Sequence, residues 1–257
     1  MKSAQSMQPV VGRVTRILRS ISLLAALLWV SGCGPRLTEP RMLGAPYGRD
    51  QLWAVAPLAN ESGASVVDGV ATADVLAQEA QQVRGINTVA VNRVIQAMRA
   101  VGISAVETHG DALTLMNVLK LDGLIIGTIT AYDPYRPMRL GVAVQLYVRP
   151  DGGVVYGVDP RALTRSASGH VAPGSVGPPR PVAQAAGVFD AENHETLKQV
   201  YAYATGRAEP DSAYGRDIYL VSMELYTRFV CYRLIQDLLQ AEQSRLTTVA
   251  EELPQAR

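Results

Sequence analysis

The run Leu121-Asp122-Gly123-Leu124-Ile125-Ile126-Gly127-Thr128-Ile129-Thr130 constrains this chain more than any other stretch. It is rich in β-branched residues, nearly free of charge and interrupted by glycine, the pattern of a central strand buried on both faces. A strand of that kind has to be covered by other layers. The preceding residues offer suitable neighbours. Leu52–Pro57 is a short apolar strand ended by proline, and 58–63 is a polar loop. Ser65 is placed to cap a helix, with Asp68 three residues on and Val70, Val75, Leu76 and Val83 as its apolar set, stopped by Gly85. Ile86–Val91 reads as a second strand. Asn92 caps a helix through Met98 to Val101, closed by Gly102, and a third helix covers Asp111–Leu119.

After the central run, Leu140, Val142, Val144, Leu146 and Val148 alternate with smaller or more polar residues, the signature of an antiparallel strand with one wetter face. Asp151-Gly152-Gly153 is a hairpin turn signal leading to a strand at Val154–Val158. The stretch 160–187 is dense in proline and glycine and nearly devoid of large apolar residues, and reads as a long loop or disordered insertion. Helices are expected at Ala191–Thr205 and Ala213–Glu242. In the second of these, Ile218, Val221, Leu225, Phe229, Tyr232, Ile235 and Leu239 recur at spacings of three and four. A further stripe (Met223, Tyr226, Val230, Leu234, Leu238) widens the face until most of the helix needs cover. The expected fold class is α/β: a single mixed sheet packed by helices, with a long terminal helix, a Pro/Gly-rich insertion, a domain at 51–245 and a tail at 246–257.

The amino terminus belongs to a different physical class. The whole chain of 257 residues carries 24 Lys and Arg against 23 Asp and Glu, a net +1. Residues 1–32 hold Lys2, Arg13, Arg16 and Arg19 and no acid, which leaves 20 basic against 23 acidic residues, or −3, in the remainder. That balance does not suit nucleic-acid binding. The basic stretch precedes the apolar run Ile21–Val30, far short of the roughly 20 residues that a membrane-spanning helix needs but sufficient for a signal peptide. Val30-Ser31-Gly32-Cys33 resembles the bacterial lipobox. The resemblance implies cleavage before Cys33 and acylation at its thiol and new amino terminus. Several acyl chains, each CH₂ worth about 0.8 kcal/mol when buried, anchor a protein to a bilayer essentially permanently. Gly34 stands where an aspartate resembles an inner-membrane retention signal, so the expected location is the outer membrane. Residues 33–50, with prolines and glycines and no periodicity, read as a flexible tether. Cys231, inside an apolar helical stretch, is expected to be a small buried hydrophobe without a disulfide partner.

Val55-Ala56-Pro57-Leu58-Ala59-Asn60-Glu61-Ser62-Gly63 resembles the opening strand and loop of a group of bacterial envelope domains. That group includes the TolB amino-terminal domain, the curli-secretion channel lipoprotein and the lipoprotein activator of penicillin-binding proteins. Leu121–Thr130 resembles the group's later central strand, and the likeness spans roughly residues 50–158. It implies a domain that works by binding and assembly, with no family catalytic residue to carry over.

The residues themselves offer little for catalysis. His109, His170 and His194 lack a second ligand at helical spacing, so no metal is expected. Gly-x-Ser-x-Gly, Gly-x-x-x-x-Gly-Lys and Gly-x-Gly-x-x-Gly motifs do not occur. Gly63-Ala64-Ser65 reads as a helix entry and Glu251-Glu252 as solvated charge. The expectation is a non-enzyme without cofactor. Contact surfaces are better represented, since eleven tyrosines stand against two phenylalanines and tyrosine suits half-wet interfaces. Tyr132-Asp133-Pro134-Tyr135-Arg136-Pro137 combines aromatic, arginine and proline residues, and Tyr132, Tyr135 and Arg136 are the candidate partner-binding residues. Tyr201, Tyr203 and Tyr214 form a second candidate cluster. The expected function is a lipid-anchored protein that binds another envelope component or a copy of itself. The alternative is an oligomeric secretion-channel subunit of the curli-secretion type. It would need membrane-spanning strands of about 9–11 residues, a length Leu140–Val148 reaches and Val154–Val158 does not.

Overall fold

The computed structural model describes residues 40, 42–149, 181–209 and 212–252, with side chains described through 248. The signal peptide, Cys33, His170 and the strand expected at Val154–Val158 lie outside the described residues. The strands are β1 (Gln51–Val55), β2 (Ala59–Asn60), β3 (Ile86–Val89), β4 (Gly123–Asp133), β5 (Arg139–Val148) and β6 (Ala183–Asp190). The helices are α1 (Gly69–Gln81), α2 (Val91–Ala100), α3 (His109–Leu119), α4 (His194–Ala204) and α5 (Met223–Glu252), with a 3₁₀ segment at Gly215–Leu220. All six strands join one mixed sheet in the order β3-β1-β4-β5-β6, with β2 beside β4. β1 runs parallel to β3 and β4, whereas β5 runs antiparallel to both of its neighbours, β4 and β6. This is the α/β architecture read from the sequence.

Alternation along the strands divides the core in two. Trp53, Val55, Ile125, Ile129, Leu140, Val142, Val144 and Leu146 point to one face, where α1, α4 and α5 cover them. Ala54, Ala56, Leu124 and Tyr147 point to the other, against Val94 and Met98 of α2 and Leu115 and Met116 of α3. The first half of β4 is thus buried on both faces, as its sequence demands. β4 and β5, with 11 and 10 residues, both reach membrane-spanning length. Their shared apolar face is covered by α1, α4 and α5.

Several boundaries differ from expectation, each for a local reason. Asp68, not Ser65, caps α1: its Oδ1 accepts from the backbone N–H groups of Val70 and Ala71 at 2.8 and 3.0 Å. Helix α2 begins at Val91 after Ala90, with no side-chain cap, so Asn92 lies inside it. Helix α3 begins at His109, because Thr108 and Asp111 form a capping box ahead of the expected start. The expected helix 213–242 is broken. Its first part is the 3₁₀ segment, and Ser222 Oγ then accepts from the Leu225 N–H at 3.4 Å as α5 starts. Helix α5 continues through Glu252, so residues 246–252 of the expected tail are helical.

Two corrections change the shape of the domain. The stretch 33–50 is not a free tether over its second half, for residues 42–50 dock. The Arg84 N–H donates to the Leu43 carbonyl and the Ala45 N–H to the Arg84 carbonyl, both at 3.0 Å. The Tyr47 ring meets Trp53 edge-on at 6.2 Å, and its hydroxyl donates to Glu242 Oε1 at 3.1 Å. Arg49 pairs with Asp122 at 2.9 Å, while the other Asp122 oxygen accepts from the Leu52 N–H. Likewise, 160–187 is not loop to its end, because β6 starts at Ala183. It pairs with β5 from Arg139 opposite Asp190 to Leu146 opposite Ala183. β6 therefore takes the place beside β5 that was expected for Val154–Val158.

Candidate functional site

The β4–β5 connection is built as a projecting tip on fixed feet. Tyr132 lies half-buried against the core, Met138 is buried, and Arg139 bonds Asp190 at 2.7 Å. Between them Asp133 Oδ1 accepts from the Tyr135 N–H at 3.0 Å, closing a tight turn, and the Arg136–Pro137 peptide is cis. Tyr135 is 80% exposed and Arg136 is exposed beside it. Of the three residues proposed from sequence, the structure thus brings Tyr135 and Arg136 together at the surface and assigns Tyr132 to their support.

The second tyrosine cluster is also divided. On α4, Thr196, Val200, Tyr203 and Ala204 form the buried face, so Tyr203 belongs to the core. Tyr201 and Tyr214 instead line an open recess of about 570 Å³ together with Lys198, Arg216 and Asp217. The Asp217 carboxylate beside Tyr201 holds the phenol proton and raises the Tyr201 pKa above its ordinary value. The Arg216 guanidinium lies over the Tyr201 ring, 5.5 Å from its centre. The two tyrosines are expected from the sequence; Lys198 and Arg216 join them only in the fold. The spacing of Lys198 and Tyr201, three residues apart on one helix face, was the available signal.

Beneath this region sits a buried carboxylate. Glu79 is 3% exposed, and its Oε1 accepts from the Tyr203 hydroxyl at 3.1 Å. Its Oε2 has no hydrogen-bond partner among the described residues. Arg207 stacks over Tyr203 at 4.2 Å and over Tyr232 at 5.1 Å. Burial raises the Glu79 pKa above the ordinary carboxylate value, outweighing the hydrogen bond from Tyr203 and the attraction of Arg207 and Arg228. The folded state therefore holds this proton more tightly than the unfolded chain. Glu79 favours folding below its unfolded value of 4.5, and that contribution is lost as pH rises through the raised folded value. Glu79→Gln retains an acceptor for Tyr203 and removes the charge. Relative to the parent, it is expected to be more stable at neutral pH than at pH 4.5, as read by urea unfolding at both. An equal stability difference at the two pH values contradicts this.

The remaining candidates have structural surroundings. His109 packs edge-on against Tyr147 at 5.6 Å, and His194 is exposed at the start of α4. Cys231 is buried, and burial pushes its thiol pKa up. The Gly63-Ala64-Ser65 turn is closed by Asn60, whose Nδ2 donates to the Ala64 carbonyl. The N–H groups at the start of α1 that could receive an anion are already satisfied by Asp68. Among the described residues, no three His, Cys, Asp or Glu side chains gather to hold a metal, and no helix is long and apolar enough to cross a membrane.

No protein-family model and no curated protein sequence matches the chain. Solved structures with some similarity include the LpoB C-terminal domain from Salmonella enterica, at 13% identity over 40% of this chain and 74% of that one, with a TM-score of 0.33. The lipoprotein GNA1162 from Neisseria meningitidis aligns at 12% identity over 61% of this chain and 96% of that one, with a TM-score of 0.36. A PelC dodecamer variant from Paraburkholderia phytofirmans aligns at 11% identity over 66% of this chain and 90% of that one, with a TM-score of 0.31. Likenesses of this strength bear on neither the function nor the assembly of the chain.

Proposed function

We propose that this chain is an outer-membrane lipoprotein, anchored through acyl chains on Cys33, whose periplasmic α/β domain works by binding another envelope component rather than by catalysis. The observation that carries the reading is the leader: a basic segment, the apolar run Ile21–Val30, and Ser31-Gly32 immediately before Cys33. The geometry of the folded part is consistent with that anchor. Residues 43–49 dock at the end of the sheet where Asp122 precedes β4, and the Tyr135–Arg136 tip follows the other end of the same strand. Eleven strand residues span about 33 Å, so the docked residues 43–49 and the tip lie near opposite ends of β4. An exposed tyrosine–arginine pair on fixed feet, at the end of β4 away from the docked residues 43–49, is suited to contact a protein partner.

The test is capture by in-cell cross-linking of the full chain, with and without Tyr135→Ala. Tyr135 touches no core cluster, so the variant is expected to fold as the parent does. It is expected to lose a specific envelope protein by roughly tenfold or more, the effect of removing a hot-spot aromatic. Unchanged capture removes the tip as the contact site.

A further inference from the structure

The recess between α4 and the 3₁₀ segment has a composition unlike that of an ordinary surface dimple. Its lining comprises Lys198, Tyr201, Tyr214, Arg216 and Asp217, without one aliphatic side chain. An apolar peptide side chain would find no matching wall there. Two phenol rings provide flat, amphipathic surfaces against which the C–H face of a sugar ring can lie. Asp217 lines the same recess, where its carboxylate oxygens can accept from ligand hydroxyls. Arg216 makes no hydrogen bond or ion pair among the described residues beyond its position over the Tyr201 ring, so its planar fork of donors is available to a carboxylate. Lys198 adds a second cation. It is held only by a solvent-exposed pair with Glu195 at 3.6 Å, which gives way easily to a ligand.

We propose that this recess binds an acidic saccharide, with a sugar ring against Tyr201 and Tyr214 and its carboxylate received by Arg216 and Lys198. The site shares no residue with the Tyr135 tip and does not depend on acylation at Cys33. Arg216 and Lys198 are exposed, so replacing them leaves the core intact.

The experiment is calorimetric titration of the full chain, purified in detergent, with trigalacturonate, neutral trigalactose and a tri-aspartate peptide as probes. Saturable binding of trigalacturonate is expected, with trigalactose at least about tenfold weaker because the charge-assisted bonds are lost. Arg216→Ala is expected to weaken trigalacturonate by about tenfold or more, and Lys198→Gln by a smaller factor. Raising salt from about 50 mM to about 500 mM should weaken it several-fold. Absence of saturable trigalacturonate binding, equal affinity in Arg216→Ala, or equal or tighter binding of tri-aspartate overturns the proposal.

Discussion

Trp53→Ala is expected to cost about 3–5 kcal/mol of folding stability, the range for emptying a large aromatic site in a packed core. Trp53 is fully buried on β1, which lies between β3 and β4, under the cover of α1 and α5. Two neighbours make the site hard to refill. Tyr47 from the docked amino-terminal strap meets the indole edge-on, so the strap loses its aromatic partner as well. Gly123, opposite Trp53 on β4, leaves room for the ring. A Cβ there would come within 2.6 Å of the indole Nε1, closer than real side chains approach. Gly123→Ala alone should therefore cost about 1–3 kcal/mol through overpacking. Trp53→Phe should cost less than Trp53→Ala. It keeps most of the volume and removes an indole N–H that has no hydrogen-bond partner among the described residues. Because the two residues share one space, Trp53→Phe combined with Gly123→Ala should be less damaging than the sum of the single changes. Denaturant unfolding of the four proteins reads each value. A Trp53→Ala cost below about 1 kcal/mol, or strict additivity of the pair, contradicts the packing described.

The parts of the fold that were legible in the sequence are those whose core residues are large. β4 announces itself through Leu124, Ile125 and Ile129, and β5 through Leu140, Val142, Val144 and Leu146, because each buries a bulky side chain at period two. β6 was hidden because two of its inward residues, Ala183 and Ala185, are small and its one large core residue, Phe189, comes near the end. Its alternation carries almost no hydrophobic contrast and sits beside a proline-rich stretch. The docked strap was hidden similarly. Leu43, Ala45 and Tyr47 do alternate, but Gly44, Pro46 and Gly48 between them read as a linker, and the decisive partners, Arg84 and Glu242, are remote in sequence.

The candidate sites divide along the same line. The tip was legible because Tyr132 through Pro137 are contiguous, though which tyrosine would be exposed was not. Tyr203 could have been separated from Tyr201 by the buried α4 set Thr196, Val200 and Ala204, a spacing visible in the chain. The recess was not legible, because Lys198 and Arg216 meet only through the packing of α4 against the 3₁₀ segment.

On the proposed reading, Cys33 anchors the chain to a membrane. Cys33→Ala is expected to abolish acylation altogether, because the lipid is joined through the cysteine sulfur and the new amino terminus and the only other thiol, Cys231, is 1% exposed within the core. Cys231→Ser serves as the control, since it leaves the leader and Cys33 unchanged. The most direct measurement is incorporation of radiolabelled palmitate in bacteria expressing the parent, Cys33→Ala and Cys231→Ser. Label is expected in the parent and in Cys231→Ser and none in Cys33→Ala. Label that never enters the parent, or that persists in Cys33→Ala, contradicts it.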